Sequence, residues 1–294
     1  MAETGPGAED PHPRARVSAD GLSISYAALG QGPPIVCLHG NPTYSYLWRN
    51  VLPDLAAAGR RGLAPDLPGM GASDPDPAGD YRFARHMAAL DAWFEALGLS
   101  ADVVLVGHDW GGALAMSWAR RHPDRVQGLV FLETMAEPLT WHDFPDSARD
   151  LFRGFRSEAG ERMILEDNVF VEQVLPFATQ RSLSTAEMDA YRAPYRAGGE
   201  SRRAMLTWPR EIPIDGVPAE VHEVLAANRD FMRASPLPKL FINAEPGLIL
   251  TGRQRETARS FANLDEVTVA GLHYLPEDAP GEIAAAITDF LRRL

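Results

Sequence analysis

Short runs of aliphatic and β-branched residues alternate along the chain with stretches in which apolar positions recur every three or four residues. That alternation predicts strand, helix, strand units and a mostly parallel sheet, an α/β architecture. The strand candidates are VSAD (17–20), LSISYAAL (22–29), PIVCLHG (34–40), GLAPDL (62–67), DVVLVG (102–107), VQGLVFLE (126–133), KLFINAE (239–245) and EVTVAG (266–271). Helical patterns fall between them at 46–58, 82–97, 111–122 and 251–262, with a last one at 280–293. The first two strands lie too close together for a crossover, so they are expected to form a hairpin ahead of the parallel series. From 135 to 235 the alternation stops. This interval reads as helical, with stops at Pro176, Pro194, Pro209, Pro213 and Pro218 and no buried strand. The expected organisation is a disordered arm over 1–16, a main domain built from 17–134 and 215–294, and a helical cap over 135–214 inserted after the strand that ends at Glu133.

Charge narrows the function. The 294 residues carry 28 basic and 40 acidic side chains, net −12, with no basic stripe for a nucleic acid. Only one of the basic residues is a lysine, Lys239, so no GxxxxGK[ST] loop exists and Schiff-base chemistry has one poor candidate. A single cysteine, Cys37, can form neither an internal disulfide nor a thiolate metal cluster. No apolar run approaches the roughly 18–20 residues needed to span a bilayer, and MAETGPGAEDPHPRAR lacks the apolar core of a secretory signal. A cytoplasmic protein without membrane association is expected.

The sharpest local signal is VVLVGHDWGG (103–112), a buried strand, a turn with Gly107 and Gly111 each two positions from a central residue, then a helix. This is the G-x-nucleophile-x-G elbow, which stands its central side chain above the C-terminal edge of a sheet. The central residue is Asp109. As a bland alternative, Asp109 only caps the following helix. An aspartate has chemical content that a serine lacks: attack on an sp3 carbon leaves an ester, which water can cleave, instead of an ether. A carboxyl group with a reference pKa near ~3.9 is ionised at neutral pH, so this first step needs no general base. A histidine is then free to activate water, and EVTVAGLH supplies His273 after the last strand. His39 and His108 read as turn formers; His12, His86, His122, His142 and His222 fall in the arm, helices or lid. His222-Glu223 begins a zinc HExxH, but position 226 is Ala, and no metal site is expected.

With HGNPTYSYLWRN (39–50), DLPGMGASD (66–74), GHDWGG (107–112), FLETMAEP (131–138), FINAEPG (241–247) and GLHYLPED (271–278) in order, the chain resembles the haloalkane dehalogenases of the α/β-hydrolase fold. Its lid segment LFRGFRSEAGERMILEDNVFVEQVLP (151–176) resembles the branch containing the tetrachlorocyclohexadiene-hydrolysing enzymes. The resemblance implies an eight-stranded sheet under an inserted cap. It implies that Asp109 displaces halide to form an alkyl-enzyme ester, that His273 activates the hydrolytic water, and that Glu133 orients His273. The Trp110 indole and the Asn41 amide would hold the departing halide, and the backbone N–H groups of Asn41 and Trp110 would form an oxyanion hole. Trp141, Phe144, Phe152, Phe170, Phe177, Leu248 and Leu250 would line an apolar pocket, or else be ordinary core. No cofactor is implied; the partners are a halogenated alkane, water and the halide product, with no nucleic acid, membrane or obligatory protein partner.

Three positions depart from the family's pattern. The usual acid position after the penultimate strand is Gly247, which leaves Glu133 as the replacement and Glu245 as its rival. Tyr44 and Tyr195 stand where smaller residues and Phe are common. The competing readings are an epoxide hydrolase, for which Tyr191 and Tyr195 would be the lid acids, a luciferase-type oxygenase without cofactor, and a receptor on the same fold.

Overall fold

The computed structural model describes residues 7–144 and 146–294. Eight strands form one sheet: β1 (Arg14–Ala19), β2 (Leu22–Leu29), β3 (Pro34–Leu38), β4 (Arg61–Pro65), β5 (Val103–His108), β6 (Val126–Leu132), β7 (Lys239–Pro246) and β8 (Leu264–Gly271). Their spatial order is β1-β2-β4-β3-β5-β6-β7-β8. Only β2 runs against its neighbours, pairing antiparallel with β1 and β4 while the remaining pairs are parallel. The helices are α1 (Leu52–Ala57), α2 (Phe83–Ala96), α3 (Trp110–Arg121), α4 (Asp146–Arg156), α5 (Leu175–Phe177), α6 (Thr185–Arg192), α7 (Arg203–Glu211), α8 (Ala219–Ala234), α9 (Gly252–Arg259), α10 (Leu275–Asp278) and α11 (Pro280–Leu291).

Because side chains alternate across a strand, the unbroken apolar runs of the central strands feed two cores at once. Val103 and Leu105 of β5, with Leu129 and Phe131 of β6, pack beneath α2, α3 and α8. Val104, Val106, Val130 and Leu132 face the other way, onto α1 and α11. A third apolar cluster belongs mainly to the helices between β6 and β7 and reaches down to Tyr46 and Tyr274. Among the described residues that stretch contributes no strand; Ile214 makes only isolated bridges, with Leu139 and Val217.

The expectation of a disordered arm over 1–16 is corrected from residue 7 onward. β1 starts at Arg14, and the preceding segment is tied down by polar contacts that its Pro- and Gly-rich composition did not reveal. Arg49 Nε donates to the Gly7 carbonyl at 2.7 Å, the Tyr46 hydroxyl donates to that of Ala8 at 2.5 Å, and His12 Nε2 meets the Arg49 carbonyl at 2.6 Å. Residues 1–6 lie outside the described residues.

Arg49 is also the centre of a buried ionic cluster. Its guanidinium donates to both oxygens of Glu277 at 2.5 and 2.9 Å and to Glu187 at 2.9 Å. Arg181 donates to the same two carboxylates at 2.5 and 2.6 Å, and the Tyr191 hydroxyl donates to Glu277. Two cations and two anions thus neutralise one another in a place where any one alone would be strongly destabilising. Lys239 needs no carboxylate: its ammonium donates to the carbonyls of Ser235, Leu237 and Ala262 at 2.7–2.8 Å. Burial pushes it down to about 8, and it clips the segment entering β7 to the segment entering β8.

Candidate active site

Strand β5 delivers Asp109 at the C-terminal edge of the sheet, the edge where open α/β sheets place their ligands. Asp109 adopts φ 53°, ψ −128°, and α3 starts at the next residue. Helix α3 comes so near the strand that a Cβ on Gly107 would sit 2.5 Å from the Gly111 carbonyl oxygen. The turn is pinned from β6, where the Thr134 hydroxyl donates to the Asp109 carbonyl at 2.6 Å. Among the described residues seven non-glycines have positive φ, and all are Asp or Asn except Glu133, at φ 41°. A glutamate gains no local turn hydrogen bond there, so its surroundings must impose that conformation.

Those surroundings are the turn after β7. The backbone N–H groups of Leu248 and Ile249 donate to Glu133 Oε2 at 2.9 Å each, and that of Leu250 to Oε1 at 3.2 Å. Gly247, at φ 67°, makes this possible, because a Cβ there would lie 2.8 Å from Glu133 Oε1. The position expected to hold an acid therefore holds the space for one arriving from the neighbouring strand. Glu245, the rival, points to the surface and pairs with Arg255 at 3.1 Å.

His273 lies between the two acids. Its Nδ1 is 3.5 Å from Glu133 Oε2 and its Nε2 is 4.0 Å from Asp109 Oδ1. Both gaps are longer than hydrogen bonds, as is common before substrate arrives, and the second is wide enough to be bridged by a water. The loop carrying His273 is held by its backbone. His108 Nε2 donates to the His273 carbonyl at 2.7 Å, and the Tyr274 N–H donates to that of Ala178 at 3.1 Å. Burial holds His108 well below the usual imidazole range, so it is neutral and this bond fixes its tautomer.

Asn41 and Trp110 flank Asp109. The Asn41 N–H donates to Asp109 Oδ2 at 3.0 Å, and the Trp110 N–H, at the start of α3, favours the charged form of this carboxylate. The Asn41 side-chain amide donates one N–H to the Met205 carbonyl of α7 at 3.1 Å, which orients the group and leaves its second N–H over. The Trp110 ring stacks on Trp208 at 4.6 Å, and Trp208 in turn on His86 at 4.3 Å. The Asn41–Pro42 turn is fixed from above, where the Tyr274 and Tyr195 hydroxyls donate to the carbonyls of Asn41 and Pro42 at 3.0 Å. Tyr44, the other departure, turns outward, donates to the Ala190 carbonyl at 2.9 Å and lines a surface groove of 480 Å³ whose walls include neither Asp109 nor His273.

Trp141, Phe144, Phe152 and Phe170 follow one another ring to ring at 5.1–6.2 Å, with Phe152 packed against both the sheet-side core and the cluster above it. Leu250 is buried and Leu248 partly so. Phe177 contradicts the expectation. It is 70% exposed, because the single turn Leu175–Phe177 sends Leu175 inward and its opposite side to solvent. The sequence reading missed His108, set aside as a turn former, and Thr134. It also missed Met205, which acts through a backbone carbonyl and so carries no side-chain signal at all.

Burial pushes the Asp109 carboxyl above its ordinary range, against the pull of His273 and of the Asn41 and Trp110 N–H groups. A folded-state value above the unfolded one means that ionised Asp109 opposes folding at neutral pH. This penalty disappears as pH falls below the unfolded value of about 3.9. Asp109→Asn is therefore expected to abolish turnover while raising the melting temperature at pH 7 by about 2 °C, a gain of roughly 1 kcal/mol. The gain should shrink in melts recorded toward pH 4; a lowered or pH-independent melting temperature contradicts it.

Residues 33–193 match the model of the alpha/beta hydrolase fold family. A haloalkane dehalogenase of Sphingobium indicum is 54% identical, the alignment covering 95% of each chain. One of Mycolicibacterium smegmatis is 47% identical over 94% of this chain and 89% of its own. The crystal structure of a haloalkane dehalogenase from Bradyrhizobium elkani superposes with a TM-score of 0.91 at 40% identity, covering 96% of this chain and 98% of that one. An elbow aspartate facing a histidine, full-length identity of this order and a shared backbone lead to one assignment: the chain belongs to the haloalkane dehalogenases of the α/β-hydrolase fold, hydrolases acting on carbon–halide bonds.

Proposed function

We propose that Asp109, His273 and Glu133 carry out this hydrolysis in two steps on a haloalkane, giving an alcohol, a halide ion and a proton. In the first, Asp109 Oδ1, the oxygen not held by the Asn41 N–H, attacks the carbon and expels halide. The spare N–H of the Asn41 amide and the Trp110 indole N–H receive it. Neutral donors suit this task, since they stabilise the charge that develops without a buried cation that would retain the product. In the second step His273 Nε2 takes a proton from water in the gap beside Asp109, and the water attacks the ester carbonyl. Charge then grows on Oδ2, already bonded to the Asn41 N–H. Glu133, held by three N–H groups, aligns His273 and stabilises its cation. Collapse of the resulting intermediate breaks the bond between the acyl carbon and Oδ1, and the departing alcohol takes its proton from the His273 imidazolium, which restores the Asp109 carboxylate. Only the first step needs no protonation of its leaving group, because halide departs as a stable anion.

The observation that carries this reading is the elbow carboxylate with His273 Nε2 at 4.0 Å. The epoxide hydrolase reading needs a free tyrosine acid. The Tyr195 hydroxyl is committed to the Pro42 carbonyl at 3.0 Å and that of Tyr191 to Glu277, both fully buried. The test compares bromide release from 1-bromobutane with diol formation from styrene oxide. Bromide release is expected; robust diol formation without it overturns the proposal. We also take 135–214 as a cap that closes the apolar side of the site, and the cytoplasm as the location. No helix among the described residues is long and apolar enough to cross a membrane.

A further inference from the structure

The turn that cradles Glu133 shows its N–H groups to that carboxylate and its carbonyls to a single guanidinium. We propose that Arg255 is a positioning residue for the hydrolytic step, acting through this turn on Glu133. Arg255 Nε donates to the Leu250 carbonyl at 2.8 Å, and Nη2 donates to those of Ala244 and Pro246 at 2.9 and 3.0 Å. Nη1 reaches Glu245 Oε2 at 3.1 Å. Leu250 is thus gripped on both sides, its N–H against Glu133 and its carbonyl against Arg255.

A guanidinium is flat and presents its donors in a fixed fork, so three carbonyls bound to it cannot drift independently. The Pro246 and Leu250 carbonyls lie just before and just after the three peptide groups that donate to Glu133, so fixing them restrains that turn from both ends. Glu133 has no solvent exposure, and among the described residues its hydrogen-bond donors are these three amides. Losing their alignment would let the carboxylate move away from His273 Nδ1, already at 3.5 Å. Alkylation of Asp109 needs neither His273 nor Glu133, so a defect transmitted this way should appear only in the second step. A guanidinium that merely stabilised the fold would affect both steps alike.

The inference rests on the role proposed for Glu133, and the experiment separates the two. Arg255→Met, Arg255→Lys, Glu133→Gln and Glu245→Gln are mixed with 1-bromobutane under rapid quench, and intact mass is followed. In Arg255→Met the first bromide released is expected to stay within about two-fold of the parent rate while steady turnover falls about tenfold, as for a small misplacement of a catalytic group. Alkyl-enzyme accumulates, Arg255→Lys falls between, and Glu245→Gln behaves as the parent. Equal loss in both steps, or hydrolysis at the parent rate, overturns the role of Arg255. If Arg255→Met does not fold, the same ratio measured on Arg255→Lys decides. Failure of Glu133→Gln to accumulate adduct overturns the reading of Glu133 itself, whereas accumulation there but not in Arg255→Met rejects only the inference.

Discussion

His273→Phe incubated with 1-bromobutane will gain the mass of one butyl group on the peptide containing Asp109 and will release one bromide per enzyme, then stop. Nothing in the first step requires the imidazole. Asp109 is a carboxylate nucleophile, and the halide leaves without a proton. The second step loses the imidazole that faces Asp109, and loss of a positioned general base removes about 10²–10⁴-fold of rate. Phenylalanine is a fair replacement here. Residue 273 is held through its carbonyl by His108 and the next N–H is held by Ala178, so the ring should keep its place. A variant that stays unmodified while the parent enzyme turns over rules out the covalent route.

Glu133→Gln will cripple the same step, by an amount approaching the ~10⁴-fold known for neutralising a triad acid elsewhere. Two effects combine. The imidazolium formed as water is deprotonated loses its counter-charge. The new amide must also turn its NH₂ toward a turn that offers only donors, so that either Leu250 or the pair Leu248 and Ile249 loses its acceptor. Glu245→Gln is expected to stay within about two-fold of the parent, because an exposed ion pair with Arg255 contributes little. Steady-state halide release distinguishes the two variants, and the reverse order would move the acid to Glu245.

Much of this site was legible in the linear chain for a definable reason. A strand, a sharp turn and a helix within ten residues are local, so the spacing of Gly107, Asp109 and Gly111 fixed the elbow without any tertiary information. The absence of an acid at Gly247 was equally local. That the same glycine makes room for Glu133 was not, since it depends on a turn meeting a neighbouring strand 114 positions earlier in sequence (247 − 133). Contacts made by backbone groups were invisible altogether. Met205 reaches Asn41 through a carbonyl that any residue would possess, and the segment from Gly7 is ordered by Arg49 and Tyr46, far along the chain. Phe177 failed for the opposite reason: an aromatic residue within a helical pattern suggests a buried position, but a helix of one turn has no inner face long enough to include it.

The four charges around Arg49 have a thermal consequence. Arg49 and Glu277 lie on the sheet side, while Arg181 and Glu187 lie in the helical stretch between β6 and β7, so loosening that stretch alone would break the Arg49–Glu187 and Arg181–Glu277 pairs that cross between them. On heating, the helices between β6 and β7 should not come loose early ahead of the sheet. Loss of bromide release and loss of far-ultraviolet circular dichroism are expected at one temperature, in one transition, and two resolved transitions would show that the charges do not bind the halves together.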